Sequence, residues 1–226
     1  MKPFIICHMV ASIDGRIDCP MVAQISGEEY YTTLDSFGLS SKLSGRVTAA
    51  LECTAVQAEV AQPNSNPVCV ESVSKAVESE EYTIVVDTYG RLQLASGEAS
   101  GHPLLVIMSE QVSEAHLEML RRHNVSWIAT GKKKIDMHHA MEILTSEFGV
   151  EKLIIVGGGH INGGFLEAGL IDEISLLLAP GVDTRKGQVA LFDGCTWKSD
   201  SPYHLKLQSV EQIPNTEVLW IRYQCK

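Results

Sequence analysis

Positive charge is in short supply in this chain: 18 Lys and Arg stand against 28 Asp and Glu, a net charge of −10 over 226 residues. A nucleic-acid surface needs stripes of cations along a phosphate backbone, so that class is excluded and any phosphate site must be local. The six cysteines, at positions 7, 19, 53, 69, 195 and 225, include no Cys-x-x-Cys pair and no zinc-like Cys/His spacing. No metal is expected, and the thiols read as those of a reduced, cytoplasmic protein. The N-terminal apolar run is interrupted at His8 and ended by Asp14, too short to span a membrane and without a cleavage pattern. Neither a membrane nor secretion is expected. No Gly-Lys-Ser/Thr follows Gly159, which excludes a P-loop, and Asn162 stands where a Rossmann fingerprint needs its last glycine. Internal repeats and low-complexity tracts are absent.

What remains is a chain with 45% apolar residues, long enough for one large α/β domain over residues 1–226. Apolar runs and alternation place strands at 3–11, 82–87, 103–109, 125–129, 152–156, 173–179, 203–213 and 216–224. Helical spacing covers 112–123 and 137–147, with Asp136 as N-cap of the second. Ser12-Ile13-Asp14-Gly15 is a turn at the end of the first strand, and residues 62–67 are a loop. Ser26 and Glu29 have capping-box spacing for a helix reaching Asp35, so Glu29 reads first as a cap.

The stretch Leu153-Ile154-Ile155-Val156-Gly157-Gly158-Gly159-His160 carries the most information. It is a buried strand, a glycine turn and a short helix, followed by a second apolar strand through Leu176-Leu177-Leu178. Backbone N–H groups and a helix N-terminus meet there, a place for an anion; a tight turn with no ligand is the alternative.

Three segments in order, Ser12-Ile13-Asp14-Gly15-Arg16-Ile17, Ser44-Gly45-Arg46-Val47-Thr48 and Val156-Gly157-Gly158-Gly159, resemble the dihydrofolate-reductase-like superfamily, and within it the reductase domain of riboflavin biosynthesis. The resemblance spans nearly the whole chain. It implies an α/β fold with a mostly parallel central sheet, antiparallel C-terminal strands and helices on both faces. It also implies NADPH as cofactor. Gly45, Arg46, Val47 and Thr48 would meet the adenosine-side phosphates, Arg46 with a guanidinium suited to phosphate oxygens. Asp87 and Thr88 fall where the family binds the adenosine end, with a turn cap as the other reading of Asp87. Gly157, Gly158 and Gly159 would line the pyrophosphate, with His160 and Ile161 supplying the first helical N–H groups. Ala11 and Ile17 match positions flanking the nicotinamide, and could equally be core residues. Lys132-Lys133-Lys134 reads as a solvated loop.

The resemblance implies a reductase similar to 5-amino-6-(5-phosphoribosylamino)uracil reductase, acting on a small molecule. Asp14 is the first candidate for proton handling and Glu29 the second; an Asx-turn residue is the other reading of Asp14. The reductases it resembles pair through sheet-extending C-terminal strands, so a homodimer is expected, the more so because Val218-Leu219-Trp220-Ile221 is too apolar for a free edge. Two departures matter. Where the family has acidic-Pro-x-Leu-x-x-Arg to hold the substrate phosphate, this chain has Ala49-Ala50-Leu51-Glu52-Cys53-Thr54. The deaminase half often fused to these enzymes has no counterpart, since no His-x-Glu precedes a Cys-x-x-Cys. The first departure leaves open a same-fold reductase of another C=N or C=O substrate, such as a pterin-like ring; a nucleotide-binding protein without turnover is a separate alternative.

Overall fold

The computed structural model describes residues 1–52, 56–57, 67–194 and 201–225. In chain order the elements are β1 (Phe4–Ala11), α1 (Cys19–Val22), α2 (Glu29–Asp35), β2 (Ser41–Gly45), α3 (Arg46–Glu52), β3 (Val56–Gln57) and β4 (Ser72–Ser74). There follow β5 (Thr83–Val86), β6 (Gln93–Leu94), β7 (Glu98–Ala99), β8 (His102–Met108), α4 (Glu114–Arg122), β9 (Ser126–Ala129) and α5 (Met137–Ser146). The chain ends with β10 (Lys152–Gly157), α6 (Gly159–Glu167), β11 (Glu173–Leu178), β12 (Leu205–Gln212) and β13 (Leu219–Cys225). Two compact units result: Met1–Pro3 with Leu39–Leu153, and Phe4–Gly38 with Ile154–Lys226.

In the first unit β2, β5, β8 and β9 form a parallel ladder, with β4 antiparallel on the outside of β9. The register aligns Gly45 with Val86, Val86 with Ile107 and Ile107 with Ile128, so the strands reach one carboxyl edge together. Strands covered on both faces need apolar side chains at consecutive positions, and Ile84, Val85, Leu104, Leu105, Ile107 and Ile128 are fully buried. The two long helices start where the sequence directs. Ser113 accepts from the His116 N–H at 3.2 Å, and Asp136 accepts from the His139 N–H at 3.1 Å. In α4 the acidic first turn (Glu114) and basic last turn (Arg121, Arg122) suit the helix dipole, while Leu117 and Leu120 face the core.

In the second unit β1 lies between β10 and β11, parallel to β11, and β13 and β12 continue the sheet antiparallel beyond β11. The expected fold class therefore holds, an α/β arrangement with a mostly parallel core and antiparallel C-terminal strands. Three details differ from expectation. Helix α2 begins at Glu29 with Glu28 as N-cap, and the Ser26 hydroxyl donates to the Val22 carbonyl instead of capping it. The segment 218–221 is not an edge: β13 is covered within the chain by β12, and it is β12 that is exposed at every position. Strand β2 and helix α3 carry too few large apolar residues for periodicity to mark them. Most of the expected loop 62–67 lies outside the described residues.

A buried polar chain crosses the second unit's sheet. Trp220 Nε1 donates to Ser175 Oγ at 2.7 Å, Ser175 Oγ lies 2.9 Å from His8 Nδ1, and His8 Nε2 lies 3.2 Å from the Tyr30 carbonyl. A carbonyl can only accept, so Nε2 carries the hydrogen and Nδ1 accepts from the serine. The His8 ring is fully buried and stacks on Tyr30 at 4.8 Å, which ties α2 to β1. Burial pushes its pKa down from 6.5 to about 4, so the imidazole is neutral.

Candidate functional site

The carboxyl edge of the first unit gathers the residues expected at the adenosine end. Gly45 and Val86 are paired across β2 and β5, so Arg46 and Asp87 directly follow the ends of adjacent strands. Arg46 is half-buried and has no hydrogen bond or ion pair among the described residues; Val47 is exposed and Thr48 half-buried. Asp87 is 2% exposed, and its Oδ2 accepts from the Arg91 N–H at 2.6 Å and the Leu92 N–H at 2.7 Å. Its carboxylate closes a turn, the second of the two readings the sequence allowed. The Thr88 carbonyl accepts from Ser109 N at 3.0 Å and Ser109 Oγ at 2.6 Å, which fixes this turn to the end of β8. Gly90, at φ +63°, sits on the buried His116 ring, where a Cβ would come within 2.9 Å of the imidazole. The turn is therefore rigid, and it presents Tyr89 and Arg91, the guanidinium 5.3 Å from the Tyr89 ring centroid. Lys132, Lys133 and Lys134 are exposed after β9.

In the second unit the residues 12–17 are clamped to a strap formed by residues 181–194. Ser12 Oγ donates to Asp14 Oδ1 at 2.7 Å, and the same carboxylate accepts from the N–H groups of Asp183 (2.9 Å) and Thr184 (3.1 Å). These bonds hold the Asp14 pKa at about 2, the serine hydroxyl contributing most. Asp14 is thus an ionised tether, and a proton given from it at neutral pH would first have to be taken up against that network. Arg185 pairs with the Asp183 carboxylate and reaches Asp18 at 2.7 Å. The strap continues with Arg16 Nη1 donating to the Gln188 carbonyl at 2.7 Å and Leu191 N donating to the Gly15 carbonyl at 2.9 Å.

The strap also covers the start of α6. A Cβ on Gly159 would stand 2.2 Å from the Ala190 carbonyl oxygen, and Asn162 Nδ2 donates to the Leu191 carbonyl at 2.7 Å. The third glycine of the run therefore makes room for the chain's own backbone, a correction to the expectation that all three serve a pyrophosphate. Gly157 keeps φ +129°, where a side chain is disfavoured, and Gly158 is the N-cap. The Ile161 N–H already donates to the Gly158 carbonyl at 2.9 Å, so it is not a donor to an anion as expected; His160 is exposed beside it. Ala11 is 1% exposed, as a core residue would be, and Ile17 is half-buried with its N–H on the Val189 carbonyl. Glu29 is half-buried, and its carboxylate receives the Gly27 N–H, two residues before the helix, instead of completing a capping box with Ser26.

Residues 3–219 match the RibD C-terminal domain family. The chain belongs to this family. A 2,5-diamino-6-ribosylamino-4(3H)-pyrimidinone 5′-phosphate reductase of Methanothermobacter thermautotrophicus is 24% identical over 201 residues, 86% of this chain and 85% of the relative. Among solved structures, a pyrimidine reductase-like protein of Corynebacterium diphtheriae superposes with TM-score 0.71 at 17% identity, covering 99% of this chain and 92% of that one. The riboflavin biosynthesis reductase of Saccharomyces cerevisiae gives TM-score 0.63 at 13% identity, covering 100% and 90%. This RibD-type chain is thus a homologue of riboflavin-biosynthesis reductases, an oxidoreductase with their fold.

Sequence reasoning passed over Tyr89, Arg91, His8 and the strap residues Asp183 and Arg185. An Asp-x-x-x-Arg spacing just after a buried strand was the available signal for Arg91. The strap had none, because its contacts join positions about 170 residues apart. Two arginines, Arg46 and Arg91, have no carboxylate partner among the described residues, in a chain of net charge −10. No group of three or more His, Cys, Asp or Glu among the described residues is placed to hold a metal, and no helix there is long and apolar enough to cross a membrane.

Proposed function

We propose that this chain is an NADPH-dependent reductase of a ribosylaminopyrimidine 5′-phosphate, converting the ribosylamino group to ribitylamino. The observation that carries the reading is Arg46, unpaired among the described residues at the carboxyl edge of a parallel sheet, within a chain that matches a reductase family from residue 3 to 219. The nicotinamide, when bound, supplies hydride to ribose C1′, and one proton completes the product as NADPH becomes NADP⁺. The chain's own contribution is placement. Arg46, with Val47 and Thr48 beside it, engages the adenosine-side phosphates. Asp14 fixes residues 12–17 and the strap in one geometry, so that the substrate meets a preformed surface. Because Asp14 is held ionised and Glu29 is engaged with the Gly27 N–H, the reading assigns both a positioning role and takes the proton from solvent.

We further propose that the working form is a cytoplasmic homodimer formed along β12. All eight of its residues are exposed, Leu207 and Val210 by more than half, and its outer edge is unpaired in the sheet order. The test of the activity is NADPH oxidation with three substrates in parallel: the uracil and the diaminopyrimidinone ribosylamino phosphates, and a pterin. Turnover of a ribosylamino phosphate with a ribitylamino product is the expected result. Turnover of the pterin alone moves the chain to another substrate, and NADPH binding without any turnover makes it a nucleotide-binding protein.

A further inference from the structure

We infer that Asn162, buried on α6, is a positioning residue for the reaction: through Leu191 it holds the far end of the strap against the turn of residues 12–17 and keeps that turn in place under the substrate. This rests on the proposed reductase reading, in which the turn and the strap form a preformed surface. It adds a residue that neither the turn motif nor the run of three glycines contains.

The strap is tied at two places. Its start is held by Asp14, which receives the Asp183 and Thr184 N–H groups. Farther along, Ala190 pairs antiparallel with Arg16, the Leu191 N–H donates to the Gly15 carbonyl at 2.9 Å, and the Asp193 N–H donates to the Gly159 carbonyl at 3.0 Å. Asn162 supplies a side-chain tie there, with Nδ2 donating to the Leu191 carbonyl at 2.7 Å. Its own N–H donates to the Gly158 carbonyl at 3.0 Å, so one line of hydrogen bonds runs from the glycine turn through Asn162 and Leu191 to Gly15, the neighbour of Asp14.

The other half of the amide argues that this tie serves placement more than stability. Asn162 is 0% exposed, and its Oδ1 is buried with no hydrogen-bond partner among the described residues. The Leu191 carbonyl can only accept, so the amide cannot turn over to satisfy Oδ1 without losing the bond from Nδ2. An unmet buried acceptor costs at least as much as one neutral hydrogen bond returns, so an apolar side chain of similar size would hold the helix as well or better. Leucine could not direct a donor at the strap. Misplacing a reacting group by about 1 Å costs rate even where binding survives, which is the effect expected when the strap slips at Leu191.

The test compares the parent with Asn162→Leu and Asn162→Asp by NADPH oxidation with the two ribosylamino phosphates, fluorescence titration of NADPH, thermal melting and amide exchange. Asn162→Leu removes the donor without burying a charge. It should melt no lower than the parent, bind NADPH within about twofold, exchange faster through residues 188–193 and lose about tenfold or more in kcat. In Asn162→Asp the ionised carboxylate sets a second acceptor against the Leu191 carbonyl, whereas the protonated acid can donate to it. Burial favours the protonated form, so the ratio of variant to parent turnover should climb as pH falls from 8 to 5.5. A folded Asn162→Leu that turns over within about twofold of the parent overturns this inference and leaves the proposed function standing. If Asn162→Leu does not fold, Asn162→Asp decides alone, and a ratio that stays flat with pH overturns the inference. A parent that turns over neither ribosylamino phosphate overturns the proposed function and this inference with it.

Discussion

Asp14 takes the Ser12 hydroxyl at 2.7 Å on the same oxygen that receives the Asp183 N–H, so the turn closing β1 and the strap after β11 share one carboxylate. Asn at position 14 keeps one acceptor and turns the other into a donor facing the Thr184 N–H. Asp14→Asn should therefore speed amide exchange through residues 183–191 and lower turnover more than it weakens NADPH. With its pKa at about 2, Asp14 contributes stability fully above pH 4 and loses it only as pH falls toward 2. The rate profile from pH 5 to 9 should then carry no limb assigned to it. A limb present in the parent and absent in Asp14→Asn would make the carboxylate a proton donor instead.

Arg46→Ala should weaken NADPH by about tenfold or more and NADH much less, because a charge-assisted contact to a phosphate contributes roughly 1.5–3 kcal/mol. Fluorescence titration of both nucleotides decides it. Equal losses for the two would detach Arg46 from the 2′-phosphate.

Two glycines of α6 should respond in opposite directions. Gly159→Ala forces a methyl to within 2.2 Å of the Ala190 carbonyl, and overpacking of this kind costs about 1–3 kcal/mol. Gly164 is exposed with nothing within 4 Å of its Cβ position, so Gly164→Ala should stabilise by up to about 1 kcal/mol through helix propensity. Urea denaturation of both variants tests whether the strap closes over the third glycine.

The sequence revealed most where one requirement acts alone. Strands β5, β8 and β10 are buried on both faces and read as apolar runs, while α4 and α5 declare themselves through helical apolar spacing, and α5 also through Asp136. Strand β2, with Leu43 as its one large apolar residue, could not be found by periodicity, although the Gly-Arg-x-Thr motif spanning its end marked the place. Site residues were harder to read because side chains serve local needs that have no sequence signature. For Asp87 the sequence allowed both a place at the adenosine end and a turn cap, and the cap became visible only with its oxygen on the Arg91 and Leu92 N–H groups. Gly159 looked like a ligand contact because the Ala190 backbone that fills its space comes from 31 positions away.

The exposed strand β12 gives a direct test of assembly. Leu207 is 52% exposed, so Leu207→Glu should leave the protomer folded while placing a charge in any strand-paired interface. Light scattering at micromolar concentration should report a dimer for the parent and a monomer for the variant. A monomeric parent would remove the homodimer from the proposal.

His8 predicts how stability varies with pH. The unfolded chain takes up a proton near pH 6.5, whereas burial holds the folded imidazole neutral down to about pH 4. Between those values the unfolded state binds more protons, so stability is fully present above pH 6.5 and falls as the solution is acidified, by up to about 1.4 kcal/mol per pH unit. His116, also buried and with its pKa lowered, adds to the same slope, while Asp14 does not titrate until lower pH. The contribution of His8 is therefore the difference between the parent and His8→Gln, which lacks a titrating ring but can still place a polar group between Ser175 and the Tyr30 carbonyl. Urea unfolding at pH 7.5, 6 and 5 should show a shallower loss in the variant than in the parent. Identical slopes would mean that the His8 ring takes its proton at an ordinary pH, and that the Trp220, Ser175, His8 and Tyr30 chain is not held as the distances imply.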